Sequence, residues 1–445
     1  MSPSPAPALR RELRLWHLVL FNLSAIAGVR WLAAAAHAGP GSLTLWLLAA
    51  VGFFLPSALV VSSLSARFPE EGGFYIWTKH AFGPWHGFLC AWLYFVSNIL
   101  YFPTLLLSGV AMASYMFGQS GVRYSENPVY AIPVTVAVLW LAFLVNLVGL
   151  RVGKWPGLLG GVSTYLIAAL LCSFGLVVAW RFGSATHFQF IPEASWDNLN
   201  FWSQIALAMT GLELAPILAG EIHNPGKNIP RAAWLSGFLG AGFYMAGTAA
   251  MLVLLAPERI SPMTGLAQAG NLAGSRLGAS WLSPVFALLI TLGVIGQLTT
   301  YIAGNTRLPF AIGLDRYLPE AFAKLHPRWH TPHVSILTQA ILSTLFLLLT
   351  ELGENLRAAY QILVDMVVIA TLIPFVYIFA TGFKYGQRWA GAAGALIAGI
   401  AVVLSCSPPP GIASVWLFEL KIIGGTLLLA LAGRVIFVHS RGVAG

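Results

Sequence analysis

The sequence predicts an all-α integral membrane protein with about twelve transmembrane helices. Of its 445 residues, 58% are hydrophobic and only 9% are charged, the mean hydropathy is +0.78, and long apolar runs recur along the whole chain. Soluble domains carry about 25% charged residues, so this chain has too little charge to cover an apolar surface in water. A lipid bilayer removes that conflict because lipid contacts the apolar exterior.

Each predicted span has the roughly 20 mainly apolar residues that are needed to cross the hydrocarbon core. The runs at 85–115 and 281–312 are longer, which predicts tilted helices or helices that extend beyond the bilayer. In chain order, the predicted spans are 15–37, 43–66, 85–115, 128–149, 157–181, 198–220, 232–256, 281–312, 333–350, 358–382, 389–407 and 413–438.

The basic residues predict which side of the membrane each loop faces. Placing the short tail 1–14 in the cytoplasm puts 17 of the 24 Lys and Arg residues on the cytoplasmic side, as the positive-inside rule requires. An even number of spans then puts both termini in the cytoplasm of a multi-pass protein of the inner (plasma) membrane. The +9 formal charge is spread singly through loops, so the lipid bilayer and not nucleic acid is the expected partner.

Two predicted helices contain small and polar residues where a span is normally most apolar. Helix 1 reads Ser24-Ala25-Ile26-Ala27-Gly28, and helix 6 reads Met209-Thr210-Gly211-Leu212-Glu213. Such interruptions free backbone groups near mid-membrane, and a pair at equivalent positions is typical of an inverted repeat. The offset of five spans predicts a five-plus-five inverted repeat with two added C-terminal helices. The predicted parts of the single membrane domain 15–440 are repeat one 15–181, repeat two 198–382 and the extra helices 389–438.

Three further motifs lie at the ends of predicted helices. The first, Arg67–Trp77, contains Pro-Glu-Glu-Gly-Gly-Phe-Tyr; the second runs from Gly211 to Ala232, and the third from Asn305 to Arg328. In composition, order and spacing these motifs resemble the amino acid–polyamine–organocation superfamily of permeases. The resemblance extends over nearly the whole chain, from about residue 15 to residue 440.

The resemblance implies a LeuT-like fold and secondary transport of an amino acid or related amine by alternating access. It also implies that the substrate meets the interrupted parts of helices 1 and 6. Members usually have a Gly-rich stretch in helix 1, and some have a lysine in helix 5, whereas this chain has Ala25 and Ala27 and no lysine at 161–165. The alanines leave the substrate type open, and the missing lysine does not support the proton route that is associated with it. The implied substrate-binding residues are Ser24, Ala25, Ile26, Ala27, Gly28, Met209, Thr210, Gly211 and Glu213.

Three ionisable residues within predicted spans are gating or coupling candidates, because such groups usually face a cavity or a transport pathway. Glu213 is expected to contact an amine, to gate, or to carry a proton. Arg30 is expected to pair with Glu213 or Asp365, to bind an anionic substrate group, or to reach the interface by snorkelling. For Asp365, proton relay and helix-to-helix hydrogen bonding are equally plausible interpretations. Weaker cavity-lining candidates are Tyr94, Asn98, Thr299, Thr300 and Tyr301.

The motif content favours a carrier over an enzyme. The chain contains no nucleotide-binding phosphate loop and no His–carboxylate constellation within a span, so no catalytic residue, metal or cofactor is expected. The predicted partners are a small-molecule amino acid or amine, with protons as a second candidate. A polyamine carrier of the same fold and a non-transporting membrane sensor remain the alternatives, and the sequence leaves the oligomeric state open.

Overall fold

The chain is described here by a computed structural model that covers residues 9–118, 127–189, 191–192, 203–350, 356–406, 416 and 419–443, with no side chain described at 128, 349–350, 356–365, 421 and 441–443. Within these residues the regular structure is helical, as the composition predicts. The one β-bridge among them is isolated and joins Leu13 to Ile222.

The helices follow one another through short connections, and several predicted spans consist of two helices in series. In chain order they are α1 Leu15–Ile26, α2 Val29–His37, α3 Ser42–Ala49, α4 Leu55–Arg67, α5 Phe74–Phe82, α6 Pro84–Ala113, α7 Pro128–Leu147, α8 Leu150–Phe182, α9 203–208, α10 Leu214–Ile217, α11 Pro225–Leu254, α12 Gly265–Arg276, α13 Leu282–Asn305, α14 Arg307–Leu314, α15 His333–Thr350, α16 Leu356–Lys384, α17 Arg388–Leu404 and α18 Gly425–Val443.

Ten segments of the described residues are long and apolar enough to cross a membrane, so the chain is a multi-pass membrane protein. The two long predicted spans are among them, as Pro84–Phe117 and Leu282–Leu314. Predicted span 333–350 corresponds to a shorter apolar helix, His333–Leu348. Predicted span 198–220 begins outside the described residues, and its described part is interrupted. The count of twelve therefore stays a prediction.

The centre of the molecule is formed by α6 and by the first span, which other helices enclose along nearly their whole length. The outer helices instead expose large apolar side chains, such as Trp180, Phe238 and Leu176. This distribution fits a bilayer, where an apolar exterior carries no cost in hydration. A site in the first span is consequently shielded from lipid on all sides.

Close helix packing around this centre depends on small residues. A Cβ atom at Gly160 of α8 would lie 2.5 Å from the Cα atom of Gly296 in α13, so the two backbones touch. In membranes such contacts replace the hydrophobic effect as the force that joins helices. They hold α8 and α13 firmly beside the first span, which also contacts both helices.

Candidate functional site

The first helix break consists of two residues. Helix α1 ends at Ile26, and α2 begins at Val29, so that Ala27 and Gly28 lie between them in non-helical conformations. The sequence predicted an interruption across Ser24–Gly28, but Ser24, Ala25 and Ile26 remain in the last turn of α1. No side chain caps the start of α2. The Trp31 N–H donates to the Gly28 carbonyl at 3.0 Å, so the first-turn N–H groups that are available to a ligand are those of Val29 and Arg30.

The second break spans Met209–Glu213, as predicted, between α9 and α10. Gly211 has a φ of +127°, a conformation that residues with a side chain rarely adopt. A Cβ atom at this position would also lie 3.0 Å from the backbone nitrogen of Ile26. Glycine therefore allows the second break to lie directly against the first.

Tyr244 of α11 joins the two breaks through one hydroxyl group. Its oxygen lies 2.5 Å from the carbonyl oxygen of Ile26 and 3.0 Å from that of Ala208, and it accepts a hydrogen bond of 3.0 Å from the N–H of Gly28. The hydroxyl has one hydrogen, so it donates to one carbonyl at a time. Tyr244 thus satisfies backbone groups that both breaks release.

The Tyr244 ring is itself fixed in place. It is fully buried and stacks on Trp46, with ring centroids 4.3 Å apart. The indole N–H of Trp46 donates to the Thr248 hydroxyl at 3.0 Å, which ties this pair to α11. On the opposite side of the first break, the Gln297 side chain donates to the Ala25 carbonyl at 2.9 Å.

A small cavity with a mixed polar and apolar lining lies against the two breaks. Its volume is about 20 Å³, slightly above the 10–15 Å³ or so that one water needs, and far below the roughly 300–1,000 Å³ of ligand pockets. This conformation is occluded, and an amino acid enters only if the surrounding half-helices move. The cavity is lined by Ala25, Ile26, Trp31, Tyr94, Asn98, Tyr101, Leu207, Ala208, Thr210, Gln297, Tyr301, Val367 and Thr371.

Glu213 is completely buried and holds the second break in shape. One carboxylate oxygen accepts from the Tyr94 hydroxyl at 2.6 Å, and the other accepts from the Gly211 N–H at 2.7 Å. Among the described residues no cation lies within ion-pair distance of it. Hydrogen-bond donors, and not an arginine, therefore compensate the Glu213 charge.

Arg30, the second residue of α2, is 1% exposed. Its guanidinium carbon lies 4.3 Å from the Trp31 ring centroid and 4.9 Å from that of Tyr101. None of its three nitrogens has a hydrogen-bond partner among the described residues. The structure therefore excludes interfacial snorkelling and an ion pair with Glu213. The Asp365 side chain lies outside the described residues, and its backbone belongs to α16.

The structure brings some of the expected residues to the cavity and adds others. Of the implied binding residues, Ala25, Ile26 and Thr210 line it, while the remaining ones shape the breaks behind it. Tyr94, Asn98 and Tyr301 also line the cavity, whereas Thr299 and Thr300 do not. Five residues of the site were not predicted from the sequence: Tyr244, Gln297, Trp31, Tyr101 and Thr371. Tyr101 follows Tyr94 and Asn98 at helical spacing, so one polar and aromatic face of α6 was the available signal.

A buried ionic network closes the molecule on the side of the α4–α5 loop. Arg307, fully buried, pairs with Glu221 at 2.8 Å. Glu71 accepts a hydrogen bond of 2.6 Å from the Gly220 N–H, and among the described residues its other carboxylate oxygen is buried without a partner. Residues of all three loop motifs therefore meet here, which gives these motif residues a structural role.

Two further contacts reinforce this closed end. The backbone N–H groups of Glu12 and Leu13 donate to the Glu221 carbonyl at 2.9 and 3.0 Å. Asp315 accepts hydrogen bonds from Lys79, at 2.6 Å, and from the Tyr75 hydroxyl. Polar contacts therefore hold the loops that they join together at this end.

Comparison with known proteins assigns the class. The amino acid permease family profile matches residues 13–427. An uncharacterised transporter of Legionella pneumophila is 27% identical, over 94% of this chain and 95% of that protein. A probable agmatine/putrescine antiporter of Lactococcus lactis is 23% identical, over 76% of this chain and 72% of that protein.

A solved structure shares the fold. The crystal structure of MhsT in complex with L-phenylalanine superimposes with a TM-score of 0.62 at 12% identity, covering 96% of this chain and 99% of that one. The broken helices thus belong to a membrane transporter of the LeuT fold. The chain is a member of the amino acid permease family, within the amino acid–polyamine–organocation superfamily, and is a transporter rather than an enzyme.

Removing the Tyr244 hydroxyl is predicted to destabilise the protein. In Tyr244→Phe, the carbonyls of Ile26 and Ala208 lose the buried hydroxyl donor that they share, which costs about 1–3 kcal/mol, whereas the Gly28 N–H keeps its 2.8 Å bond to the Ile26 carbonyl. The matched control is Tyr165→Phe, because the Tyr165 hydroxyl is buried without a partner among the described residues. Thermal unfolding of the purified proteins in detergent measures the difference. Equal midpoints for the two variants would contradict the bridging role.

The Glu71 carboxyl is predicted to make stability depend on pH. Burial, and then the nearby Glu221 carboxylate, raise its pKa from 4.5 to about 8. The folded state therefore holds this proton more tightly than the unfolded state, and stability is lost as pH rises from about 4.5 to about 8.

Glu71→Gln keeps the network uncharged at this position and should flatten that part of the profile of melting temperature against pH. Glu70→Gln, at the exposed neighbouring position, should keep the wild-type slope. A profile for Glu71→Gln as steep as that of the wild type would show that another group titrates.

Proposed function

We propose that this permease is a secondary transporter that carries an amino acid or related amine by alternating access, with the substrate held at the two helix breaks. The observation that carries the proposal is the direct contact of the breaks, through Gly211 and the Tyr244 hydroxyl, beside a small cavity that polar and apolar side chains line. Backbone released at mid-membrane is tolerated only where it is buried in protein or lines a cavity.

The backbone polarity at the breaks suits a zwitterion. The start of α2 has no side-chain cap, so the N–H groups of Val29 and Arg30 and the positive end of the helix dipole favour a carboxylate. Helices α1 and α9 both end where the two breaks meet, so the carbonyl groups of their last turns favour an ammonium group. The two charged groups of an amino acid thus find complementary ends of different half-helices.

The polar network at the α4–α5 loop suits an alternating mechanism. Because the cavity is occluded, transport requires one end to open while the other stays shut. The Arg307–Glu221 pair, the Glu71 contact and the Asp315 contacts join three loops at one end. We assign this end to the cytoplasmic side, with both termini in the cytoplasm of the inner membrane, because the basic residues concentrate there.

The assigned residue roles follow this geometry. The proposed substrate contacts are the break residues Ser24–Gly28 and Met209–Glu213, of which Ala25, Ile26 and Thr210 face the cavity. Glu213 is proposed to gate or couple transport, because it ties the second break to Tyr94 of α6. The five-plus-five repeat and the assignment of α17 and α18 as extra helices belong to the same proposal.

Carriage of a diamine is the second candidate, supported by the agmatine/putrescine antiporter among the relatives. A doubly cationic substrate would have to approach the buried Arg30 charge. That position favours an amino acid, since like charges repel strongly in a medium of low dielectric.

Counterflow in vesicles tests the proposal. Purified protein in liposomes that are loaded with unlabelled substrate should concentrate a labelled amino acid without nucleotide, since exchange alone drives the uptake. Amino acids and diamines are compared separately. Binding without counterflow of any of them would identify a sensor and not a carrier.

The Glu213→Gln variant tests the gate in the same assay. Its side chain offers one oxygen to the two donors that the carboxylate satisfies, so counterflow should fall at least about tenfold, which corresponds to about 1.4 kcal/mol. Glu320→Gln, at an exposed position, is the control. Wild-type rates in Glu213→Gln over the whole pH range would rule out a gating or proton-coupling role.

A further inference from the structure

Arg30 carries a buried charge that the described residues leave uncompensated. Its side chain is 1% exposed, and Nε, Nη1 and Nη2 all lack a hydrogen-bond partner within the part of the chain that the structure describes. The contacts with Trp31 and Tyr101 are cation–π contacts, worth about 0.5–2 kcal/mol each. They supply no oxygen acceptor to its five N–H donors.

A buried guanidinium without hydrogen-bond acceptors is stabilised by an anion. Arginine does not lose its proton in proteins, so Arg30 cannot relieve the cost of burial by becoming neutral, as a lysine can. A buried charge is stable only when it is paired and hydrogen-bonded. A carboxylate satisfies the guanidinium best, because it accepts two parallel N–H bonds.

The position of Arg30 makes a transported molecule the source of that anion. Trp31 and Tyr101, the two rings that contact the guanidinium, both line the cavity. The guanidinium therefore lies one side chain away from the cavity. Glu213 is already engaged with Tyr94 and Gly211, and it makes no ion pair with Arg30.

The site also has a second feature that favours negative charge. The start of α2 has no side-chain cap, so the N–H groups of Val29 and Arg30 can bind the α-carboxylate of any amino acid. An amino acid with a neutral side chain, bound there, would leave the Arg30 guanidinium without an anionic partner. A substrate with a carboxylate in its side chain would engage both features at once.

We propose that Arg30 is a specificity-determining residue for a second anionic group, so that the preferred substrates are amino acids with an acidic side chain. This inference rests on the proposed transport function and narrows its substrate class. It places the side-chain carboxylate at Arg30 after a shift of Trp31 or Tyr101, and the α-carboxylate at the start of α2.

The wild-type protein gives the first test. Uptake into proteoliposomes is measured for L-glutamate and L-aspartate against L-glutamine and L-asparagine, which match them in shape but not in charge, and against putrescine. The acids should exceed their amides at least about tenfold in kcat/KM. Equal values, or a preference for the amides or for putrescine, would overturn the inference without any variant.

Variants then locate the selectivity. In Arg30→Met, which keeps the length but not the charge, the acid-to-amide ratio should fall at least about tenfold. Arg30→Lys should give an intermediate ratio, because its ammonium binds a carboxylate as a point charge. Arg181→Met, at the exposed end of α8, should keep the wild-type ratio. An equal loss for acids and amides in Arg30→Met would assign Arg30 to the α-carboxylate and overturn the inference.

The two proposals fail differently. Absence of counterflow for every amino acid and diamine refutes the transport function, and this inference with it. Counterflow of neutral amino acids with no preference for acids refutes only the role of Arg30. Selective stabilisation of the wild-type protein by L-glutamate over L-glutamine in a thermal-shift measurement supports the role even if the Arg30 variants do not fold.

Discussion

The hydrogen bonds of the Tyr244 hydroxyl are the interaction on which the rest of the site depends. A membrane helix interrupted at its middle exposes backbone donors and acceptors where no lipid or bulk water satisfies them. Here one hydroxyl lies within hydrogen-bonding distance of Ile26, Gly28 and Ala208. Both interruptions are therefore stabilised by a single group on a third helix, α11, and a displacement of α11 changes both together.

This arrangement explains why the centre contains so many small residues. Gly211 brings the second break against Ile26, and Gly160 brings α8 against α13. Van der Waals contact and hydrogen bonding, not hydrophobic burial, hold helices together within a bilayer. The result is a rigid frame around a cavity of about 20 Å³. Within this frame, the short segments at the breaks have the fewest helical hydrogen bonds, so movement is expected there first.

Much of the fold was predictable because local composition determines it. Apolar runs and their lengths give the spans, and the glycine and polar residues of Met209–Glu213 give the second break at its observed bounds. The first break was predicted too broadly, since the residues before Ala27 remain helical although they resemble those after it. Tyr244 was not predictable, because its partner Ile26 lies 218 positions away in the sequence.

The contacts of the charged residues also could not be predicted from the sequence. Pairing of Arg30 with Glu213 was a reasonable alternative from sequence, because two opposite charges in neighbouring spans usually meet. In the structure, the Glu213 carboxylate instead accepts hydrogen bonds from Tyr94 and from the N–H of Gly211 in its own loop. Arg30 lies beside two aromatic rings. Sequence spacing reveals neither arrangement. Because of that separation, the described residues offer the Arg30 guanidinium no hydrogen-bond acceptor.

Amide hydrogen exchange of the intact protein in lipid tests most directly whether the two breaks form one binding unit. Backbone amides at 27–30 and 209–213 are measured with and without the amino acid that gives the strongest counterflow. The account predicts that the ligand slows exchange in both segments together, while the exposed loop near Glu320 is unaffected. Protection of only one segment, or of neither, would contradict it.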